Sequence, residues 1–278
     1  MLSIIVCSRQ PDLPDELKTN IVSTIGTDYE LIVIDNSRNQ YSIFSAYDQG
    51  LRQAKGETLC FMHEDLYFHT SGWGAKAEEH FRQYPKAGLL GVVGTHFLPA
   101  CPAGWWDAEI PSGHFIQGTT QNGHYQQLWE SRWEEHKATP TLVASIDGLW
   151  MCMPRKAFDQ VSWDQAYYSG FHCYDADMSM QIWDKGMEVH ILWDVLIEHK
   201  SLGMTKADYH KSLEHWFDKW KNSLPCLKGI EADEESIRRL SRIAELNLAL
   251  RKSELQLKEI YASRSYRWSQ KLVSLLRL

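Results

Sequence analysis

The sequence predicts a doubly wound α/β fold, a mostly parallel sheet with helices on both faces, followed by a C-terminal helical segment. Three observations carry that prediction. Two continuous apolar, β-branched runs, LSIIVC at 2–7 and ELIVID at 30–35, read as strands buried on both faces, the habit of parallel strands. Between them Leu13, Leu17, Ile21 and Ile25 recur every four residues, which puts one apolar stripe on a helix and makes the unit βαβ. After Pro225 the pattern changes to a stretch from 236 to 261 without Pro or Gly and rich in Glu, Arg, Leu and Ile. We therefore divide the chain into an α/β domain at 1–228 and a helical segment at 229–278.

The elements follow in order. The first helix spans about Asp12 to Ile25 and the second about Ser42 to Ala54, with Gly56 closing it as a C-cap glycine. Thr58 to Met62 forms a third strand and delivers His63-Glu64-Asp65 at its C-terminal end, where open parallel sheets bind ligands. A helix at 73–83 and an apolar strand at 88–93 continue the alternation. From Thr95 to Thr141 the periodicity fades into a Gly-, Pro-, Trp- and His-rich insertion facing the substrate, with a hairpin expected at Asn122-Gly123. A strand at 142–146 leads into Asp147-Gly148, a short helix covers 155–158, and a longer helix opens near Asp175 and runs to Lys185-Gly186. Strands at 189–193 and 195–198 end at His199.

In the helical segment Ile243, Leu246, Leu250, Ser253, Leu257 and Ile260 follow a 3,4,3,4,3 spacing, a coiled-coil seam of about three heptads that fits a homo-oligomer through residues 236–261, as dimer or trimer, and equally an intramolecular hairpin. Glu231, Asp233, Glu234 and Glu235 precede it, where acidic groups favour a helix N-terminus. The last residues set Arg264, Arg267, Lys271 and Arg277 among Tyr266, Trp268, Leu272 and Leu275. That basic amphipathic pattern reads either as a peripheral membrane contact or as a helix folding back on the domain.

Composition narrows the class. With 44% hydrophobic and 23% charged residues the chain is neither disordered nor fibrous. Its net charge of −7 excludes a protein that coats nucleic acid through overall charge. Six scattered cysteines without a C-x-x-C pair, no signal-like start and no apolar run near 18 residues lead us to expect a cytoplasmic protein.

The P-loop, the dinucleotide fingerprint and H-E-x-x-H are all missing, which argues against a P-loop ATPase or a nicotinamide enzyme. What remains is Asp35, Glu64, Asp65, Asp175, Asp177 and His199 at strand ends or a helix start, which a doubly wound sheet can bring to one edge. Mn²⁺ or Mg²⁺ binds carboxylate oxygen and substrate phosphate together, so the set points to metal-held phosphate. Taken one at a time the residues have plainer readings. Asp175 and Asp177 suit a helix start, Asp65 and Asp35 a turn, and His199 a hydrogen-bonded strand end.

Taken together, SIIVCSR, ELIVIDNS, AYDQGLRQAKGETLCFMHEDLYF, SIDGLWMCMPRKAF and GFHCYDADMSMQIWDKGMEV resemble the GT-A fold glycosyltransferases of family two, particularly the bacterial capsule and lipopolysaccharide group. The resemblance covers roughly 1–203 and implies a GT-A-like fold and inverting transfer from a nucleotide-diphosphate sugar, UDP by default. The implied acceptor is a saccharide or a lipid-linked molecule, and no nucleic acid takes part. It implies that Cys7, Ser8, Arg9, Asp35, Asn36 and Glu64 hold the nucleotide, and that Asp65 ligates the metal with a further contact from His199. Asp175 is implied as the general base, and Trp105, Trp106, Asp147, Gly148 and Asp177 as lining the acceptor side. The sequence departs from the family at two places: His63 stands at the first position of the D-x-D motif, and Tyr174 replaces the Glu before the base. The irregular metal motif keeps a second reading open, a non-catalytic sugar- or nucleotide-binding scaffold that tethers partner enzymes through its coiled coil.

Overall fold

The computed structural model describes residues 1–107, 110–118, 126–130, 140–201, 207–263, 266 and 268. The first half runs β1 (Leu2–Ser8), α1 (Asp15–Thr24), β2 (Tyr29–Asp35), α2 (Ile43–Gln53), β3 (Thr58–Met62), β4 (Leu66–Phe68), α3 (Trp73–Gln83), β5 (Ala87–Gly91), β6 (Val93–Thr95) and β7 (Phe97–Leu98). The second runs β8 (Pro111–Gly118), β9 (Gln126–Glu130), β10 (Thr141–Leu142), β11 (Ser145–Ile146), β12 (Trp150–Pro154), α4 (Tyr174–Asp184), β13 (Glu188–Ile191), β14 (Ile197–His199), α5 (Ala207–Trp220), β15 (Cys226–Leu227) and α6 (Glu234–Ala262).

The main sheet has seven strands in the order β10-β13-β5-β12-β3-β1-β2. β1 pairs in parallel with both β2 and β3, and β13 pairs in parallel with β5, while β12 enters antiparallel between β3 and β5. A second sheet, β11-β6-β8-β14-β4 with β9 on β8, carries the insertion. The period-2 pleat divides the core. Leu2, Ile4 and Val6 of β1 with Cys60 and Met62 of β3 join one apolar cluster, and Ile5 with Leu59 and Phe61 joins the other. Leu13, Leu17, Ile21 and Ile25 are all at most 3% exposed, so the predicted stripe is the buried face around α1.

Several boundaries differ from the sequence reading. α1 begins at Asp15 behind Pro14, whose fixed φ starts a helix more readily than it sits inside one. Gly56 is no C-cap: α2 ends at Gln53, and a Cβ on Gly56 would lie 2.6 Å from the Met1 carbonyl and 2.7 Å from Ser3 Oγ, so that glycine serves close packing on β1. The expected strand at 88–93 is cut after Gly91, where the chain passes from the main sheet to the second sheet. The run 142–146 is divided the same way between β10 and β11. β8 and β9 pair antiparallel with Gly118 opposite Gln126, and the turn at Asn122-Gly123 lies outside the described residues.

α6 is one long helix capped by Asp233, whose carboxylate accepts from Ser236 N. Its buried face is Ala244 and Leu248, and Ala244 packs with Phe97, Cys101, Ala103 and Ile110, flanked by Ile237 and Leu240. The seam residues Leu246, Leu250, Leu257 and Ile260 fall on the other side and are about half exposed, at 53, 58, 48 and 54%. The basic tail from Arg264 onward lies outside the described residues apart from positions 266 and 268. Among the described residues no helix is long and apolar enough to cross a membrane.

Candidate active site

The site is built at the C-terminal end of β3, where His63, Glu64 and Asp65 form the turn into β4. His63 and Asp65 face His199, and Glu64 between them faces Ser8 and Arg9. Glu64 is buried and accepts from Ser8 Oγ at 2.6 Å, from Arg9 N at 3.1 Å and from Arg9 Nε at 2.8 Å. It therefore fixes the loop leaving β1 and is spent on that task.

β14 runs antiparallel to β4 with His199 opposite Leu66, which brings His199 to the same end as Asp65. His199 Nε2 lies 3.3 Å from His63 Nδ1 and 3.5 Å from Asp65 Oδ1. One donor atom from each of His63, Asp65 and His199 lies within 4.8 Å of the others, a spacing that suits three ligands of one ion. Burial opposes charge on Asp65, yet the hydrogen bond and charge of His199 hold its carboxyl well below the ordinary range. Burial, then repulsion from His199, lowers the pKa of His63. For His199 the burial penalty is outweighed by Asp65, and its pKa rises.

The second half of the site comes from α4. The helix is entered through Cys173 in the left-handed region at φ 62°, so Cys173 is the N-cap and Asp175 lies one residue inside the helix, with Tyr174 before it. Asp175 Oδ2 accepts from Gly148 N at 3.0 Å and Oδ1 from Ala176 N at 2.8 Å. Burial and the facing Asp147 push its carboxyl up to about 7 against those two N–H donors. Asp147 in turn accepts from Leu149 N at 2.8 Å and from Trp105 Nε1 at 3.0 Å. The Tyr174 hydroxyl lies 2.7 Å from His63 Nε2 and donates to the Gly148 carbonyl at 3.2 Å. A Cβ on Gly148 would stand 2.3 Å from the Tyr174 oxygen, so only glycine fits at that corner. One backbone residue thus ties the cluster on β3 to the carboxylate on α4.

The remaining predicted residues separate into two groups. Ser8 and Asp35 are neighbours in the β1/β2 register, Asn36 N donates to Ser8 O at 2.8 Å, and Cys7 lies 3.6 Å from Asn36 Nδ2. Asn36 braces the turn through Tyr41, accepting from its N–H at 2.9 Å and donating to its carbonyl at 3.0 Å, while Asp35 is exposed and accepts from Ser37 N at 2.9 Å. Trp105 reaches the site through Asp147, but Trp106 turns away and stacks on Tyr209 with ring centroids 5.5 Å apart. Asp177 is also placed differently from the acceptor contact expected of it. It is 1% exposed, and its carboxylate is held by Tyr168 Oη, Trp220 Nε1, Gln181 Nε2 and Lys219 Nζ. A helical residue two positions beyond Asp175 faces about 200° away from it, into the α4/α5 contact.

His63 and Tyr174 are the residues the sequence reading left without a role. No local signal marks either one, because residues 63–65 lie in the turn after β3 and the partners of His63 come from β14 and α4. A cavity of about 440 Å³ between Glu57, Phe81, Arg82 and Lys156 lies away from this cluster and shares no residue with it.

A central sheet with one antiparallel strand inserted beside β3, and an Asp/His cluster at the C-terminal end of β3, define a GT-A type fold. The chain belongs to the glycosyltransferase-like family, whose model matches residues 3–220. Among solved structures it is similar to GalNAc-T7 with UDP, GalNAc and Mn²⁺, at 10% identity and a TM-score of 0.51 over 88% of this chain and 54% of that one. The chain therefore spans about half the length of that enzyme. A relative from Fuscovulum blasticum, an ATP synthase subunits region ORF 6 protein, is 24% identical over 200 residues, 70% of this chain and 73% of its own length.

Proposed function

We propose that the protein is an inverting glycosyltransferase that moves a sugar from a nucleotide-diphosphate sugar, UDP-linked by default, to a saccharide or lipid-linked acceptor. The observation that carries this reading is the contact between two half-sites: the His63, Asp65 and His199 donors on one side and Asp175 on the other, joined through Tyr174 and Gly148. A carboxyl pushed up to about 7 is a general base suited to neutral pH. Asp175 takes the proton from the acceptor hydroxyl as that oxygen bonds to the anomeric carbon, and the diphosphate leaves from the opposite face with the bonding pair. His63, Asp65 and His199 would hold a divalent ion, and two imidazoles among three donors favour Mn²⁺ over Mg²⁺. When bound, that ion neutralises charge on the departing diphosphate. The Mn²⁺ and UDP bound by GalNAc-T7 support this assignment.

Cys7, Ser8, Arg9, Asp35 and Asn36 form the nucleotide side in our reading, with Glu64 bracing it. Trp105, Asp147 and Gly148 form the acceptor side. The pathway we infer is bacterial surface polysaccharide synthesis in the cytoplasm, with the basic tail touching the inner face of the membrane. Six free cysteines, five of them buried, suit that compartment. Leu246, Leu250, Leu257 and Ile260 would join a second copy of the helix, because their heptad spacing is self-complementary.

The test is calorimetric titration with UDP and GDP in the presence of Mn²⁺ and then EDTA, followed by NMR of the product formed from the donor that binds. Mn²⁺-dependent binding of one nucleotide and an inverted anomeric centre support the proposal. Retention of configuration refutes the mechanism, and Asp175→Ala with undiminished transfer refutes the base.

A further inference from the structure

The two side chains that depart from the family pattern touch each other. His63 and Tyr174 are 111 residues apart in sequence, yet His63 Nε2 and the Tyr174 hydroxyl oxygen are separated by 2.7 Å. Tyr174 is 6% exposed, and its ring is fixed on Phe44 and Tyr47 by edge contacts. The phenol has one proton and two polar neighbours, His63 Nε2 and the carbonyl of Gly148. A carbonyl only accepts, so when the phenol donates to Gly148 its oxygen faces His63 as an acceptor.

We propose that Tyr174 is a positioning residue that holds the proton of His63 on Nε2 and so makes His63 Nδ1 the third metal donor beside Asp65 and His199. The assignment rests on the metal reading given above and deepens it. A neutral imidazole binds a metal through its unprotonated nitrogen, and the partner of the other nitrogen decides which one that is. His63 Nδ1 is the nitrogen near the other donors, 3.3 Å from His199 Nε2. Its proton must then sit on Nε2 and be donated to the Tyr174 oxygen, whose own proton goes to the Gly148 carbonyl. Every contact in that chain has one donor and one acceptor.

The chain ends on the residue that also holds Asp175, since Gly148 N donates to Asp175 Oδ2 at 3.0 Å. Gly148 therefore orients the metal donor through its carbonyl and the base through its N–H. Tyr174 touches neither substrate nor metal in this scheme. Its part is to set the tautomer and the ring plane of a residue that does.

The experiment uses the full chain with Mn²⁺ alone, read by electron spin resonance for affinity and by ¹⁴N electron spin echo modulation for the nitrogen ligands. Wild type is expected to show two histidine nitrogens. His63→Ala removes one of them, and Tyr174→Phe, which keeps the ring and deletes only the hydroxyl, weakens Mn²⁺ binding about 10-fold or more and removes or shifts the same nitrogen signal. The double variant is expected to bind no more weakly than His63→Ala. If Tyr174→Phe binds Mn²⁺ like wild type with both nitrogen signals intact, the role of Tyr174 is refuted while the metal site stands. If wild type shows no nitrogen modulation or no Mn²⁺ binding at millimolar ion, the metal reading itself is refuted. Should Tyr174→Phe fail to fold, ¹⁵N NMR of histidines in zinc-loaded wild type decides the question. A proton on His63 Nε2 with the metal on Nδ1 supports the scheme, and the reverse overturns it.

Discussion

Asp177→Ala separates a structural from an acceptor-binding role for a carboxylate that sequence alone assigned to the acceptor. The side chain is 1% exposed and accepts from Tyr168 Oη at 2.9 Å, Trp220 Nε1 at 2.8 Å and Gln181 Nε2 at 2.7 Å, with Lys219 Nζ also at 2.8 Å. It fastens α4 to α5 by accepting from the last residue of α5. Lys219 retains Asp164 at 2.9 Å after the substitution, so its charge is not stranded. Tyr168 and Trp220 lose their acceptor, and each buried donor left unpaired costs roughly 1–3 kcal/mol. Adding the lost charge pair, and discounting for non-additivity, the expected loss is about 3–5 kcal/mol, the range for breaking a buried ion pair from one side. Asp177→Asn keeps one carbonyl acceptor and is expected to cost less than half as much. Urea unfolding followed by tryptophan fluorescence measures both. A change below about 1 kcal/mol in Asp177→Ala, within the ordinary scatter of surface substitutions, coupled with a raised KM for acceptor, would refute the structural role and restore the sequence reading.

Three further outcomes follow from the geometry. Asp175→Asn removes the proposed base and is expected to lower kcat by about 10²–10⁴. In the wild-type enzyme kcat/KM should rise with pH through about 7, because the raised carboxyl must lose its proton to act, and a profile flat from pH 6 to 8 counts against it. Gly148→Ala sets a Cβ 2.3 Å from the Tyr174 oxygen. It should cost about 1–3 kcal/mol of stability from overpacking and, by displacing Tyr174 and Asp175 together, about 10² in kcat. On the far side of the sheet His80 Nε2 meets His190 Nδ1 at 2.9 Å, and His190 Nε2 meets Glu188 at 3.0 Å. Burial and His190 push His80 from 6.5 down to about 4, so the folded state binds fewer protons than the unfolded state in that window. Stability is therefore full above pH 6.5 and lost as pH falls toward 4. His80→Gln should flatten that part of the urea midpoint against pH, and an unchanged slope would refute the assignment.

The parts of the fold legible in the sequence are those where one local signal decides the structure. LSIIVC is a buried interior strand as its apolar run predicts, and Leu13, Leu17, Ile21 and Ile25 bury the stripe they spell, whereas ELIVID pairs in parallel beside it but takes the sheet edge and is only partly buried, because no further strand follows it in the sheet. The errors fall where tertiary contact overrides local pattern. Gly56 looks like a helix stop but is required by the approach of Met1 and Ser3. The α6 seam is legible as spacing, but the face the helix turns to the domain, Ala244 against Phe97 and Ile110, is a separate one that the spacing does not mark. Asp177 has the right residue type beside Asp175 and the wrong angle on the helix. His63 and Tyr174 were out of reach because neither residue means anything until the fold closes a 111-residue gap between them.

The imidazole at position 63 also changes the charge balance of the site. With both histidines neutral, His63, Asp65 and His199 carry one negative charge, where two carboxylates and a histidine would carry two. Held against a divalent cation, the present set sums to +1 and the alternative to zero. A unit charge about 4 Å away at an effective dielectric near 20 is worth on the order of 4 kcal/mol, so the difference is large on the scale of catalysis. In the proposed reaction it would favour a leaving diphosphate, on which negative charge grows as the bond to the sugar breaks. The same substitution weakens the electrostatic hold on the cation, since an imidazole dipole attracts it less than a carboxylate does. Donor geometry must then supply part of what charge no longer supplies, and the hydrogen-bonded chain from His63 through Tyr174 to Gly148 gives that geometry. The two departures from the family pattern are therefore physically linked: an imidazole at 63 is useful as a donor only with a partner that fixes its proton, and Tyr174 is the side chain in place to do it.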